Sequence, residues 1–204
     1  MANALGVETD TFWALIADCV RQGLSGEKRD GWLQGALTRL PPPEIVRFQA
    51  CLEQVIAESF SWNLWAAADR IFGGWCCDDN FCFFQGWMVG LGRPIFEAAV
   101  SDPDVLGYAP AVRRLAGCPR EEWAAADVPQ WESVTRLAPQ AYEQVTGTFA
   151  DCGDSFYAAA RALRGDAAAT PPVPGGRRWS VLDQAESARR LPLLTVMFPL
   201  PDAG

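Results

Sequence analysis

The chain has 204 residues, half of them apolar, with 17 basic residues against 25 acidic ones, seven cysteines and no histidine. That length supports one substantial core, and the apolar content is that of a folded chain, not a disordered one. A net charge of −8 opposes binding to a phosphate backbone, and the missing imidazole removes Ser-His and Cys-His nucleophiles, histidine-ligated zinc and the facial-triad iron site.

In chain order, Phe12, Leu15, Ile16, Cys19 and Val20 recur at spacings of three and four, which predicts an amphipathic helix over 9–24 with Thr9 or Asp10 as cap. A second helix is expected from about Lys28 to Leu40, with Trp32, Ala36, Leu37 and Leu40 on one face, ended by Pro41-Pro42-Pro43. Those prolines open a third, whose stripe is Ile45, Phe48, Leu52, Val55, Ile56 and Phe60. Trp62 to Phe72 reads as a fourth, broken by Gly73-Gly74. Asp78 or Asp79 is placed to cap a fifth, carrying Phe81, Phe84, Met88 and Leu91 with Phe83 and Trp87 on the flank. A helix so apolar around its circumference is expected to be central. Gly90 and Gly92 end it, Pro94 opens a short helix through Val100, and Asp102-Pro103 marks another turn or cap.

Beyond Pro110 the periodicity weakens. Short helices are expected over Arg120–Asp127 and Gln130–Ala138, the latter continuing from Pro139 to Thr146, and over Ser155–Arg164 with Phe156, Ala159, Ala160 and Leu163 inward. The predicted fold is all-α, a single-domain irregular helical bundle around a central aromatic-rich helix pair. Residues 1–164 form the helical domain, 165–178 a Gly/Pro/Ala-rich linker, and 179–204 a C-terminal segment that packs back on the body.

No window approaches the run of about 18 apolar residues that a spanning helix needs. The start MANALGVETDTFW carries neither a basic region nor an apolar core, so a cytoplasmic protein with reduced thiols is expected. Adjacent arginines occur only at Arg113-Arg114, Arg177-Arg178 and Arg189-Arg190, too few for a nucleic-acid or membrane surface. No phosphate loop or cofactor fingerprint is present, and no cofactor is expected.

The stretch from Trp62 to Arg93 carries the pattern Trp62, Leu64, Trp65, Ala66, Ala67, Ala68, Gly74, Cys76, Asp78, Asp79, Phe81, Phe84, Trp87, Gly92 and Arg93. That pattern resembles the bacterial family catalogued as domain of unknown function 4240. Phe12-Trp13, the AYEQVTG segment at 141–147, Trp179 and the RRLP at 189–192 extend it over most of the chain. The resemblance implies a cytoplasmic bacterial helical protein with no established activity.

Three constellations are candidate chemistry. Asp78 and Asp79 are either a cap and a favourable charge at a helix start, or a carboxylate pair able to act as acid and base, with Arg93 as partner. Arg93 in turn is either a helix-terminal charge or a bidentate clamp for an anion. Cys76, Cys77 and Cys82 lack the C-x2-C spacing of a zinc site, so no metal is expected, but Cys76 near a helix start is a candidate nucleophile. Trp62, Trp65, Asp69 and Phe72 fall at i, i+3, i+7 and i+10, placing a carboxylate on an aromatic face, where it is costly unless neutralised or at a solvent edge. With Asn63 and Trp87 these are the candidate ligand-binding residues.

Two functions are compatible with these residues. The leading one is a binding or regulatory module presenting an acidic surface to a partner protein or a small cationic ligand. The alternative is a small enzyme using Asp78, Asp79, Arg93 and Cys76 in an aromatic-lined pocket. A deep pocket lined by Trp62, Trp65 and these polar groups favours the enzyme, and a filled core with both aspartates capping favours the binder.

Overall fold

The computed structural model of the chain describes residues 2–147, 153–165 and 173–200, with 2–8 as backbone only. The fold is all-α. In chain order the α-helices are α1 (Ala2–Arg21), α2 (Gly26–Leu37), α3 (Pro42–Glu58), α4 (Trp62–Ile71), α5 (Asp78–Val89), α6 (Arg93–Ser101), α7 (Pro110–Leu115), α8 (Val134–Thr146), α9 (Asp154–Arg164), α10 (Gln184–Arg190) and α11 (Pro192–Met197). Short 3-10 helices lie at Pro103–Tyr108 and Arg120–Glu122. Among the described residues the extended pairing is an isolated parallel bridge between Ser61 and Gly175. Contacts divide the chain into two compact units, each built from two separated stretches: residues up to 57 with those from 132 to 165, and residues 58–131 with 173–200.

In the first unit α2 packs along α8, α8 along α9, and α1 on α2. Phe12 meets Trp13 edge-on with ring centroids 5.1 Å apart and Phe48 at 5.0 Å, over buried Ile16, Leu33, Leu37, Ile45 and Leu52. Several expected boundaries and faces change here. Thr9 and Asp10 lie inside α1 and not at its start, because the helix has already begun at Ala2. The buried stripe of α2 is Leu33 and Leu37, one turn apart, not the set built on Trp32, Ala36 and Leu40. In α9 Phe156 and Ala160 point in, while Ala159 is exposed and Leu163 is 47% exposed, so the apolar stripe is narrower than its composition suggests. In the second unit, the helix expected over 120–127 shrinks to the single turn Arg120–Glu122. α8 starts only at Val134 and runs through Pro139, which has no N–H to offer Thr135, and closes at Gly147 in the left-handed region at φ 70°.

The second unit contains the aromatic-rich helix pair. Ser61 caps α4 by accepting from the Leu64 N–H at 3.2 Å. Leu64, Ala67, Ala68 and Ile71 are buried where α4 packs on α5, α11 and the 3-10 helix Pro103–Tyr108. A ladder of rings links the two helices: Trp62 to Trp65 at 5.5 Å, Trp65 to Phe81 at 4.5 Å with planes 13° apart, and Phe81 to Phe84 at 6.4 Å. Such offset stacking contributes roughly 0.5–1.5 kcal/mol per pair beyond simple burial.

The C-terminal segment is joined to this unit by side chains that supply what short helices lack. Buried Arg70 of α4 donates to the Val181 and Thr195 carbonyls at 3.0 and 3.3 Å and to Gln184 Oε1 at 3.4 Å. The carboxylate of Asp104 accepts from the Leu193 and Leu194 N–H groups at 3.0 and 2.9 Å, capping α11 from another part of the chain. The approach is close: a Cβ on Gly107 would lie 2.5 Å from Leu193. Asp104→Ala is expected to destabilise the fold by about 2 kcal/mol, and Asp104→Asn by about half that, since an amide keeps one of the two acceptors. Equal urea midpoints for Asp104→Ala and the parent would show that water replaces the cap at no loss.

Candidate functional site

The face of α4 bearing Trp62, Trp65 and Asp69 is half-buried, with Trp65 stacked on Phe81, and it forms one wall of a pocket of about 500 Å3. Beyond the helix the chain folds back onto this face. α4 ends at Ile71 with Phe72 as its C-cap, and Gly73 and Gly74 take φ of 86° and 106°, values that only glycine adopts readily. The returning peptide of Cys76 is then held at both ends. Its N–H donates to Asp69 Oδ1 at 2.7 Å, and its carbonyl accepts from Trp65 Nε1 at 2.9 Å. This places Trp75, which is 66% exposed, together with Cys77 and Asp78 around the pocket.

The opposite wall comes from more than a hundred residues downstream. Gly175 donates to the Phe60 carbonyl at 2.8 Å and accepts from the Trp62 N–H at 2.9 Å, so the extended backbone joins the start of α4 directly. Trp179 Nε1 donates to Asn63 Oδ1 at 3.0 Å, and Arg190 donates to the same oxygen at 3.1 Å while lying over the Trp179 ring at 5.4 Å. Between these anchors the Arg178 guanidinium sits over the Trp62 ring, 5.0 Å from its centroid. Pro174, Arg178, Trp179 and Phe60 complete the lining.

Burial pushes the Asp69 carboxyl up from an ordinary 3.8 to about 6, against the opposing pull of the Cys76 N–H and of Arg178. One oxygen is used by Cys76. The other, Oδ2, has no hydrogen-bond partner among the described residues and remains reachable by solvent. Cys76 is 4% exposed, and burial, reinforced by the charge of Asp69, pushes its thiol up to about 12. That direction is opposite to what activates a nucleophile.

The candidate residues are therefore divided. Trp62, Trp65, Asp69, Cys76 and Asp78 line the pocket, and Asn63 stands behind it as the anchor of Trp179. Asp79 is exposed in the first turn of α5 and is not among the lining residues. Trp87 is buried against Phe84 at 5.3 Å, and Arg93 pairs with Glu97 at 2.6 Å one turn along α6. Neither lines the pocket. The expected caps are corrected: Cys77 is the N-cap of α5, without a side-chain bond, and both aspartates lie inside the first turn, because the tethering of Cys76 sets where the helix begins. Phe72 leaves the aromatic face, since α4 ends at Ile71 and the ring turns toward Phe84 and Trp123.

Sequence reading missed Phe60, Trp75, Pro174, Arg178 and Trp179 as site residues. The signal at hand was the Arg177-Arg178-Trp179 run directly after a glycine pair, where a cation and an indole come after a backbone that is free to approach closely. Among the described residues no group of three or more Cys, Asp or Glu is arranged to hold a metal ion, and no helix is long and apolar enough to cross a membrane.

With this geometry in view, comparison with known proteins gives one family. The model described as protein of unknown function (DUF4240) matches residues 7–144, and the chain belongs to that family. No curated protein and no solved structure matches it.

Proposed function

We propose that this DUF4240 protein is a binding module for a small organic ligand, taken up in the pocket between α4 and residues 174–179. The single observation that carries the reading is the convergence of four indoles, those of Trp62, Trp65, Trp75 and Trp179, with Asp69, Asp78 and Arg178 on one space of about 500 Å3. That volume and that mixture of ring faces with a few polar groups are what small-molecule sites share. A pocket on Trp62 and Trp65 is the feature expected of the enzyme, but Asp79 and Arg93 lie outside it and the Cys76 thiol is pushed away from reactivity, so of that enzyme's four residues only Asp78 is left, and binding is the reading kept. A docking surface for a large partner has no comparable feature in its support. The thiols fit a reducing compartment, since the cysteines among the described residues are unbonded, and we place the protein in the cytoplasm.

Thermal melts against a panel of organic cations, zwitterions, anions and neutral aromatics test the reading. At least one class is expected to raise Tm by several degrees and to quench tryptophan emission, as a ligand of the native state must. Both responses are expected to shrink in Trp75→Ala, a change at an exposed ring that leaves the core alone. A panel in which no class acts, or whose effects survive both Trp75→Ala and Asp69→Asn, overturns it.

A second reading is supported by the carboxyl of Asp69, which near 6 is suited to give and take a proton at neutral pH. In an enzyme of this kind Asp69 is the acid or base, Asp78 the second carboxylate, and Cys76 takes no part. A bound ligand recovered chemically changed, with the change lost in Asp69→Asn while binding persists, is the result that selects it.

A further inference from the structure

The charged side chains lining the pocket are two carboxylates, Asp69 and Asp78, and one cation, Arg178, a balance of one negative charge in a chain of net charge −8. Arg178 is exposed and makes no hydrogen bond or ion pair among the described residues. It lies instead on the Trp62 ring, where its charge also reaches Asp69. The backbone around it is fixed at Gly175 and, through the next side chain, at Asn63. Rotation of one exposed side chain therefore vacates the ring face, with no movement of the wall that carries it.

Resting on the reading of the pocket as a ligand site, we propose that its Trp62–Asp69 corner is a subsite for an organic monocation, and that Arg178 is the stand-in that occupies it until the ligand arrives. The group recognised is a guanidinium or alkylammonium. An aromatic face attracts such a cation through the ring quadrupole, most strongly on indole, and the open Oδ2 of Asp69 supplies the carboxylate. A bare metal cation does not fit, because a hard ion needs about six oxygens and the walls are mainly rings. An anion fits less well: it gains Arg178 but faces both carboxylates. Because Arg178 competes for the same place, the apparent affinity is set by how much of the time it is displaced.

Calorimetric titration at pH 7.5 and low salt, with phenethylguanidinium and phenylacetate as matched probes of opposite charge, tests this. The parent is expected to bind the guanidinium and not the carboxylate. Arg178→Gln is expected to tighten the cation about 10-fold, because the competitor is gone, while Trp62→Leu and Asp69→Asn each weaken it by about 10-fold. Phenylacetate binding that requires Arg178, or cation binding lost in Arg178→Gln, overturns the cation subsite and leaves the pocket standing as a ligand site. Cation affinity unchanged in Arg178→Gln overturns the stand-in role. Failure of both probes with the parent and with Arg178→Gln overturns the subsite, and the ligand pocket falls with it only when the zwitterions and neutral aromatics of the wider panel are silent as well.

Discussion

Arg70→Ala is expected to lower the unfolding free energy by about 3 kcal/mol and to make residues 173–200 the first part of the chain cut by a protease. Arg70 is 1% exposed and pairs with no carboxylate among the described residues; its partners are two carbonyls and an amide oxygen, and its Nε has none. Two effects oppose each other. A buried guanidinium without a counter-charge is costly to desolvate, and burial accordingly lowers its pKa. Against this, each hydrogen bond from a charged donor contributes roughly 1.5–3 kcal/mol, and alanine also leaves a cavity the length of an arginine. The bonds win because there are three of them and because they are what ties α10 and α11 to α4. The loss is tempered at Val181, whose carbonyl keeps the Ser187 hydroxyl at 2.8 Å. Arg70→Met, which fills the space without the charge, is expected to lose about half as much as alanine. Urea unfolding with an alanine variant as stable as the parent would mean that desolvation cancels the bonds.

The second large effect is a gain. Asp69→Asn is expected to stabilise the ligand-free protein at pH 7.5 by about 1–2 kcal/mol, and to flatten its stability between pH 4 and 7. The carboxyl titrates near 6 in the fold and at 3.8 ordinarily, so the folded state holds the proton more tightly than the unfolded one. A raised pKa of this sign gives a contribution that is fully present below about pH 4 and lost as the pH rises through about 6. Two pH units correspond to roughly 3 kcal/mol for a fully buried group, and solvent in the pocket screens part of that at Asp69, leaving about 1–2 kcal/mol. The other charged and titratable side chains lining the pocket are Arg178, Asp78, Cys76 and Cys77; the Cys76 backbone N–H and, after it, Arg178 favour the ionised form of Asp69. Asparagine keeps an oxygen for the Cys76 N–H and has no charge to desolvate. A carboxylate that weakens the empty protein at neutral pH is consistent with one used for a ligand, and a cation bound beside it should weaken below about pH 6 as Asp69 takes up a proton. Melting temperatures of parent and Asp69→Asn that run parallel from pH 4 to 8 would contradict the assignment.

Much of the site is legible in the sequence because helical geometry is local. The spacing of Trp62, Trp65 and Asp69 puts all three on one face of α4 whatever surrounds it, and the conflict of a carboxylate with indoles on that face already marks Asp69 as unusual. The glycine pair likewise marks where α4 breaks, though not that Cys76 returns onto its face. Asp78 and Asp79 read as caps because aspartate before an apolar run is the ordinary cap signal. Two hydrogen bonds to Cys76, which no local pattern encodes, instead start α5 early enough to place both inside its first turn.

The sequence by itself therefore determined the all-α class, the aromatic helix pair, the face that carries Asp69 and the absence of any chemistry that needs an imidazole. Tertiary structure alone decided that this face borders a space, that Arg93 and Trp87 stay out of it, and that Arg178 and Trp179 enter it. The reason is physical: a helix face comes from a repeat of 3.6 residues, whereas Gly175 joins Phe60 and Trp62 by backbone hydrogen bonds, which carry no side-chain signature and span more than a hundred residues of chain.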